Sequence, residues 1–140
     1  LAIFGQKDAQ QLILIRRMVA DLDFPVEVVA APTVRSEEGL ALSSRNAYLG
    51  EIERAQAHAL WAAIEAAQEA AGLGPEVARE AALAVLNDAE GLDVDYLALV
   101  DLLTLNEVEP DFRGEAILLI AAQVGSTRLI DNALLKLGTR

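Results

Sequence analysis

The stretch LAIFGQKDAQQLILIRRMVADLDFPVEVVAA, Leu1 to Ala31, decides the fold. Leu1 to Phe4 is short and wholly apolar, as in a buried strand, and Gly5 ends it. From Asp8 the pattern becomes helical, with Leu12, Ile15, Met18, Val19 and Leu22 spaced to share one face. Asp8 suits the N-cap, and Gln11 three residues on completes a capping-box pattern. The helix should stop near Asp21 to Asp23, before Pro25, and Val26 to Ala31 is then a second, valine-rich strand. A strand, a helix and a strand in so few residues make a βαβ unit, which implies a parallel sheet with its ligand crevice at the carboxyl ends of the strands. A strand as apolar as Leu1 to Phe4 needs neighbours on both sides. Because the chain opens directly on it, with Leu1 and not Met, the sequence reads as the second part of something longer.

Two loops open onto that crevice. After Phe4 comes Gly5-Gln6-Lys7-Asp8, where unpaired backbone N–H groups and the dipole at a helix start favour an anion. After Ala31 come Pro32 to Glu38 and then GLALSSRN, Gly39 to Asn46. Ser43, Ser44 and Arg45 supply two hydroxyls and a permanent positive charge, the donors a phosphate chain requires. Each half also has an ordinary structural reading. Lys7 suits a solvated cation, Asp8 with Gln11 a helix cap, and Ser43 an N-cap that starts a helical turn.

The charge distribution places such a site. The chain carries a formal net charge of −11, yet residues 1 to 50 hold five basic and six acidic side chains, against six basic and sixteen acidic in residues 51 to 140. A site for a small polyanion therefore belongs in the first third. The overall acidity argues against general nucleic-acid binding, which needs clustered Lys and Arg. With no cysteine and only His58, neither a disulfide framework nor a thiolate or histidine metal cluster is expected. No apolar run is long enough to span a bilayer and no signal peptide is evident, so the expectation is a globular chain of the cytoplasm without membrane partners.

Further along, Glu51 to Ala71 reads as an alanine-rich helix carrying Ile52, Leu60, Trp61 and Ile64, closed by Gly72 and Gly74. Pro75 opens another helix through about Asp88, with Val77, Ala81 and Leu83 to Leu86 on or near its buried side. Val94 to Val100, Ala116 to Val124 and Thr127 to Ile130 read as strands, the first two joined by the turn-rich Asp101 to Gly114. Helices followed by successive strands indicate a small α+β unit with an antiparallel sheet. His58 is expected to be a surface or packing residue and Trp61 a core or interface anchor.

Taken together, FGQKDAQQ, PTVR, GLALSSRN and VGSTRLIDN, in this order and spacing, resemble the pantothenate synthetase family, in the second half of its members. The resemblance implies an α/β architecture: residues 1–33 would end a nucleotidyltransferase-like Rossmann domain, and residues 34–140 would form an α+β lid domain. It implies ATP-dependent ligation of pantoate to β-alanine through a pantoyl adenylate, releasing AMP and pyrophosphate, with magnesium accompanying the ATP. Gly5, Gln6, Lys7, Asp8, Val34, Leu42, Ser43, Ser44 and Arg45 match ATP-binding positions, with Lys7 and Arg45 the catalytic cations and Gln11 on pantoate. The full-length protein would be a homodimer. Ala9 stands where many members carry tyrosine, and the family's N-terminal paired-histidine motif has no counterpart here, so the isolated chain is not expected to ligate. Two other readings stand beside this one: a catalytically silent remnant that binds nucleotide or a partner protein, and a different adenylyl-transferring enzyme.

Overall fold

The computed structural model describes residues 1–139. The expected βαβ unit is present as β1 (Ala2–Gly5), α1 (Ala9–Asp21) and β2 (Val28–Ala31). The two strands pair in parallel, Ala2 opposite Val28 through Gly5 opposite Ala31. Gly5 is thus the last strand residue and not a break after it. Asp8 stands at the N-cap of α1 but makes no side-chain capping bond, so the expected box with Gln11 does not form. Half of such a box occurs instead before the next helix, where the Gly50 N–H donates to Glu53 Oε2 at 2.9 Å and glycine offers no side chain to return the bond.

The chain continues through α2 (Glu51–Ala70) and α3 (Pro75–Asp88), with a 3-10 turn over Ala71–Leu73 between them and Gly74 in the left-handed region at φ 116°. Then follow β3 (Leu92–Asp101), β4 (Gly114–Val124) and β5 (Thr127–Leu137), an antiparallel meander in the order β3-β4-β5. The strand expected over Thr127 to Ile130 is therefore much longer. The dipeptide Asp131-Asn132 interrupts its apolar pattern, but β4 is long enough to pair with it throughout, from Val124 opposite Thr127 to Gly114 opposite Leu137.

Side chains of β4 alternate between two environments, as the period of a strand dictates. Ala116, Leu118, Ile120, Ala122 and Val124 join Leu60, Ile64, Leu86, Leu99, Leu135 and Leu137 in the main core beneath α2 and α3. Ile117 and Leu119 face the other way and form a second cluster with Val100 and Ala9, the first residue of α1. Each leucine fully buried in the main core is worth about 1.5–3 kcal/mol relative to exposure. The alanines of α2 and α3 let the two helices approach closely, since Ala57, Ala63, Ala67, Ala78 and Ala82 are all inaccessible to solvent. Val77 and Ile52, read from sequence as part of the helices' apolar faces, are exposed.

Candidate functional site

The site is built where the carboxyl end of β1 meets the loop after β2. The Gln6 N–H donates to the Ala31 carbonyl at 2.8 Å, which carries the strand pairing one residue past Gly5 and delivers Lys7 and Asp8 to the sheet edge. The loop is a tight turn. Arg35 and Ala41 bridge across it, the Ser36 N–H donates to the Leu40 carbonyl, and the Leu40 N–H donates back to Ser36 Oγ at 3.2 Å. Gly39 lies at φ 88° beneath Trp61, where any Cβ would fall inside the indole. The Leu42 N–H donates to the Val34 carbonyl at 2.8 Å, and Asn46 Nδ2 donates to the Ala41 carbonyl at 3.1 Å. Ser43 caps the 3-10 turn over Ser44–Tyr48, its Oγ accepting the Arg45 N–H at 3.2 Å. The capping reading of Ser43 thus holds.

Two residues of β5 anchor both halves. Asp131, 3% exposed, accepts a bidentate pair from Arg35, with Nη1 to Oδ2 at 2.6 Å and Nη2 to Oδ1 at 2.9 Å. Arg35 Nη1 also donates to the Gly39 carbonyl, and the guanidinium lies 4.1 Å from the centre of the Trp61 ring. Asn132 Nδ2 donates to the carbonyls of Gln6 at 3.0 Å and Lys7 at 2.8 Å. Sequence reasoning gave Arg35, Asp131 and Asn132 no roles of their own. The signal was available: an acid and an amide side by side between the apolar Leu129-Ile130 and Ala133-Leu134-Leu135 require partners if they are buried.

Lys7, Asp8, Leu42, Ser43, Arg45 and Arg128 face a cleft of about 540 Å³. Lys7 Nζ crosses it to donate to the Leu42 carbonyl at 3.1 Å, and Arg45 Nη1 donates to the Arg128 carbonyl at 3.3 Å. Arg128 is neutralised by Asp95 at 2.8 Å and Arg35 by Asp131. Among the described residues, Lys7 and Arg45 have no carboxylate within ion-pair distance. Burial lowers the Lys7 pKa below its ordinary value, only partly offset by Asp131 and Asp8, and Arg45 and Arg35 push it the same way as burial. In a strongly acidic protein this corner has cationic charge to spare.

Gln11 lines an adjoining hollow of about 320 Å³ that shares Lys7 and Asp8 with the cleft and is walled by Tyr96 and Asn132. Ser44 instead faces a cavity on another side of the loop, beside His58, whose Nε2 lies 3.4 Å from Glu38 Oε2. Val34 contributes its main chain to the loop while its side chain is exposed, and Gly5 and Gln6 act through backbone pairing. No cluster of three or more His, Cys, Asp or Glu side chains among the described residues is arranged to hold a metal ion. No helix among them is long and apolar enough to cross a membrane.

Fold and cleft together define the class: an α/β protein in which the carboxyl end of a parallel strand meets a cation-bearing loop across an open cleft. Comparison with known proteins gives the family. The sequence model described as Pantoate-beta-alanine ligase matches residues 1–134, and the chain belongs to that family. A pantothenate synthetase of Thermobifida fusca is 56% identical over 141 residues, covering 98% of this chain and 48% of that relative. The crystal structure of pantothenate synthetase from Thermus thermophilus matches with a TM-score of 0.88 at 46% identity, over 94% of this chain and 48% of that one. A pantoate-beta-alanine ligase from Francisella tularensis, solved with beta-gamma ATP and beta-alanine, matches with a TM-score of 0.60 at 25% identity, over 94% and 42%. The chain thus spans about half the length of the relatives it matches.

Proposed function

We propose that this chain forms the nucleotide-clamping half of a pantoate–β-alanine ligase. The observation that carries the reading is a pair of cations without a carboxylate partner among the described residues, Lys7 and Arg45, brought to one cleft. A polyphosphate is the ligand whose charge they match. In the reaction a pantoate carboxylate oxygen attacks the α-phosphorus of ATP. The bond to the bridging oxygen breaks, and pyrophosphate leaves. The β-alanine amine then attacks the acyl carbon of pantoyl adenylate, loses a proton and displaces AMP.

An anionic nucleophile and a triphosphate repel one another, so the first step depends on neutralising and aligning charge. Lys7 and Arg45 do this, helped by the N–H groups that open α1 and by the Ser43 and Ser44 loop. Gly5, Gln6, Asp8, Val34 and Leu42 complete the nucleotide contacts, and Gln11, in the adjoining hollow, takes pantoate. Magnesium would accompany the ATP and supply further neutralisation of the phosphate charge. The loop excludes water that would hydrolyse the adenylate. On this reading residues 1–33 close a nucleotide-binding domain and residues 34–140 serve as its lid, in a cytoplasmic homodimer.

The test supplies ATP, magnesium, pantoate and β-alanine to the protein as its host produces it. Stoichiometric pantothenate, AMP and pyrophosphate are expected. Lys7→Ala and Arg45→Ala should each slow single-turnover adenylate formation by about 10² or more, as for lost transition-state contacts. Adenylation at the wild-type rate in both variants would defeat the proposal, and pyrophosphate release with a different acid but not pantoate would redirect it to another adenylyl-transferring enzyme.

A further inference from the structure

Asp131 and Asn132 are neighbours on β5, so their side chains leave opposite faces of the sheet. Asp131 pairs with Ile120, whose side chain lies in the main core beneath the helices, and Asn132 pairs with Leu119, whose side chain lies in the cluster with Ala9. On the helical face Asp131 fixes the loop that carries Ser43 to Arg45, through Arg35. On the other face Asn132 fixes the backbone that carries Lys7. The two cations of the cleft are thus indexed to one dipeptide.

Resting on the function proposed above, we infer that Asn132 is a positioning residue for the nucleotide: it sets where Lys7 and the first turn of α1 stand relative to Arg45. Only an amide nitrogen suits the geometry. Both neighbours of Nδ2 are carbonyl oxygens, which accept and cannot donate, so the side chain must present its NH₂ to them. Holding two successive carbonyls fixes the peptide planes on either side of Lys7 and hence the direction in which its side chain and the following N–H groups leave. The Asn132 Oδ1 has no hydrogen-bond partner among the described residues, so the polar contacts of this side chain are the two it donates to the strand end. Misplacing Lys7 by about 1 Å is enough to cost on the order of 10²-fold in rate.

The experiment compares Asn132→Ser, Asn132→Ala and Asn132→Asp with the parent in the protein as its host produces it. It measures kcat and KM for ATP in adenylation, melting temperature, and hydrogen exchange at the Gln6 amide and in β4. The donor account predicts activity falling in the order Asn, Ser, Ala, Asp, because a carboxylate repels the two carbonyls. Asn132→Ala should lose between about 10- and 10²-fold in kcat/KM for ATP, measured well below its melting temperature. Exchange at Gln6 should quicken while β4 keeps its rates. A purely structural role predicts melting temperatures that fall in that order while the folded fraction of every variant stays fully active; that result overturns the inference. Should Ala fail to fold, the activity of Ser and Asp per folded molecule decides between the two. A parent without ATP-dependent activity would defeat the functional proposal instead, and exchange at Gln6 would then judge the placement of the strand end alone.

Discussion

The helical layer and the N-terminal βαβ unit are held by opposite means. Beneath α2 and α3 a closed core buries Leu60, Ile64, Leu86, Leu118 and Ile120 to 1% exposure or less. In the βαβ unit only Ala9 and Leu12 are buried, while Leu14, Met18, Leu22 and Phe24 are exposed. That unit is registered to the rest by a few directional polar bonds, chiefly those of Asn132 and the reach of Lys7 to Leu42. Burial stabilises without choosing a direction, whereas hydrogen bonds between buried groups fix angles at modest net gain. The second arrangement suits a cleft whose two cations must be aimed.

Mutations at both ends of this contrast test it. The largest loss of stability is expected at the seam, where Asp131→Ala strands the Arg35 guanidinium against Trp61 and should cost about 3–5 kcal/mol in denaturant unfolding. A loss below about 1 kcal/mol would show that the pair is solvated and not an anchor. Next comes the core, where Ile64→Ala removes a side chain with no exposure at all and should cost about 2–5 kcal/mol. Met18→Ala, on the outer face of α1, should stay within about 0.5 kcal/mol. Equal costs at Ile64 and Met18 would abolish the distinction between the two regions.

A smaller effect belongs to the loop after β3. Asp101 Oδ1 accepts the N–H groups of Leu103 at 2.8 Å and Thr104 at 2.9 Å, and these bonds, Thr104 first, hold its pKa below the ordinary 3.8. A depressed carboxylate stabilises the fold above its unfolded pKa and loses that contribution as pH falls through the folded one. Asp101→Ala should therefore lower the melting temperature slightly at neutral pH, and the difference should vanish in strong acid. A difference independent of pH would point to packing and not to the charge.

Much of this was legible in the sequence because it rests on local rules. The change from strand to helical period around Asp8, the proline and glycine punctuation of α2 and α3, and the valine-rich β2 each report their own conformation. What was not legible was long-range. Asp131 and Asn132 look like the end of a strand because isolated polar residues usually mean solvent, and only the pairing of β5 along the full length of β4 shows that they are interior. Asp8 and Gln11 fit a capping box that does not form, since a pattern of residue types cannot report where the side chains turn. Of the residues in the family blocks, Lys7, Asp8, Leu42, Ser43 and Arg45 line one cleft, while Arg35, which closes the loop onto β5, drew no attention because its partner lies far along the chain.

Burial bears on ligand affinity as well. Because it disfavours the charged form of Lys7, affinity for a polyphosphate should decline with rising pH at values below the 10.5 of a free lysine. The most direct test of the central claim is exchange of labelled pyrophosphate into ATP by the protein as its host makes it, with and without pantoate. The proposed function, with Lys7 and Arg45 acting together in one cleft, predicts exchange that requires pantoate and falls by about 10² or more in both Lys7→Ala and Arg45→Ala. Exchange at the parent rate in either variant, or none in the parent with pantoate present, would contradict it.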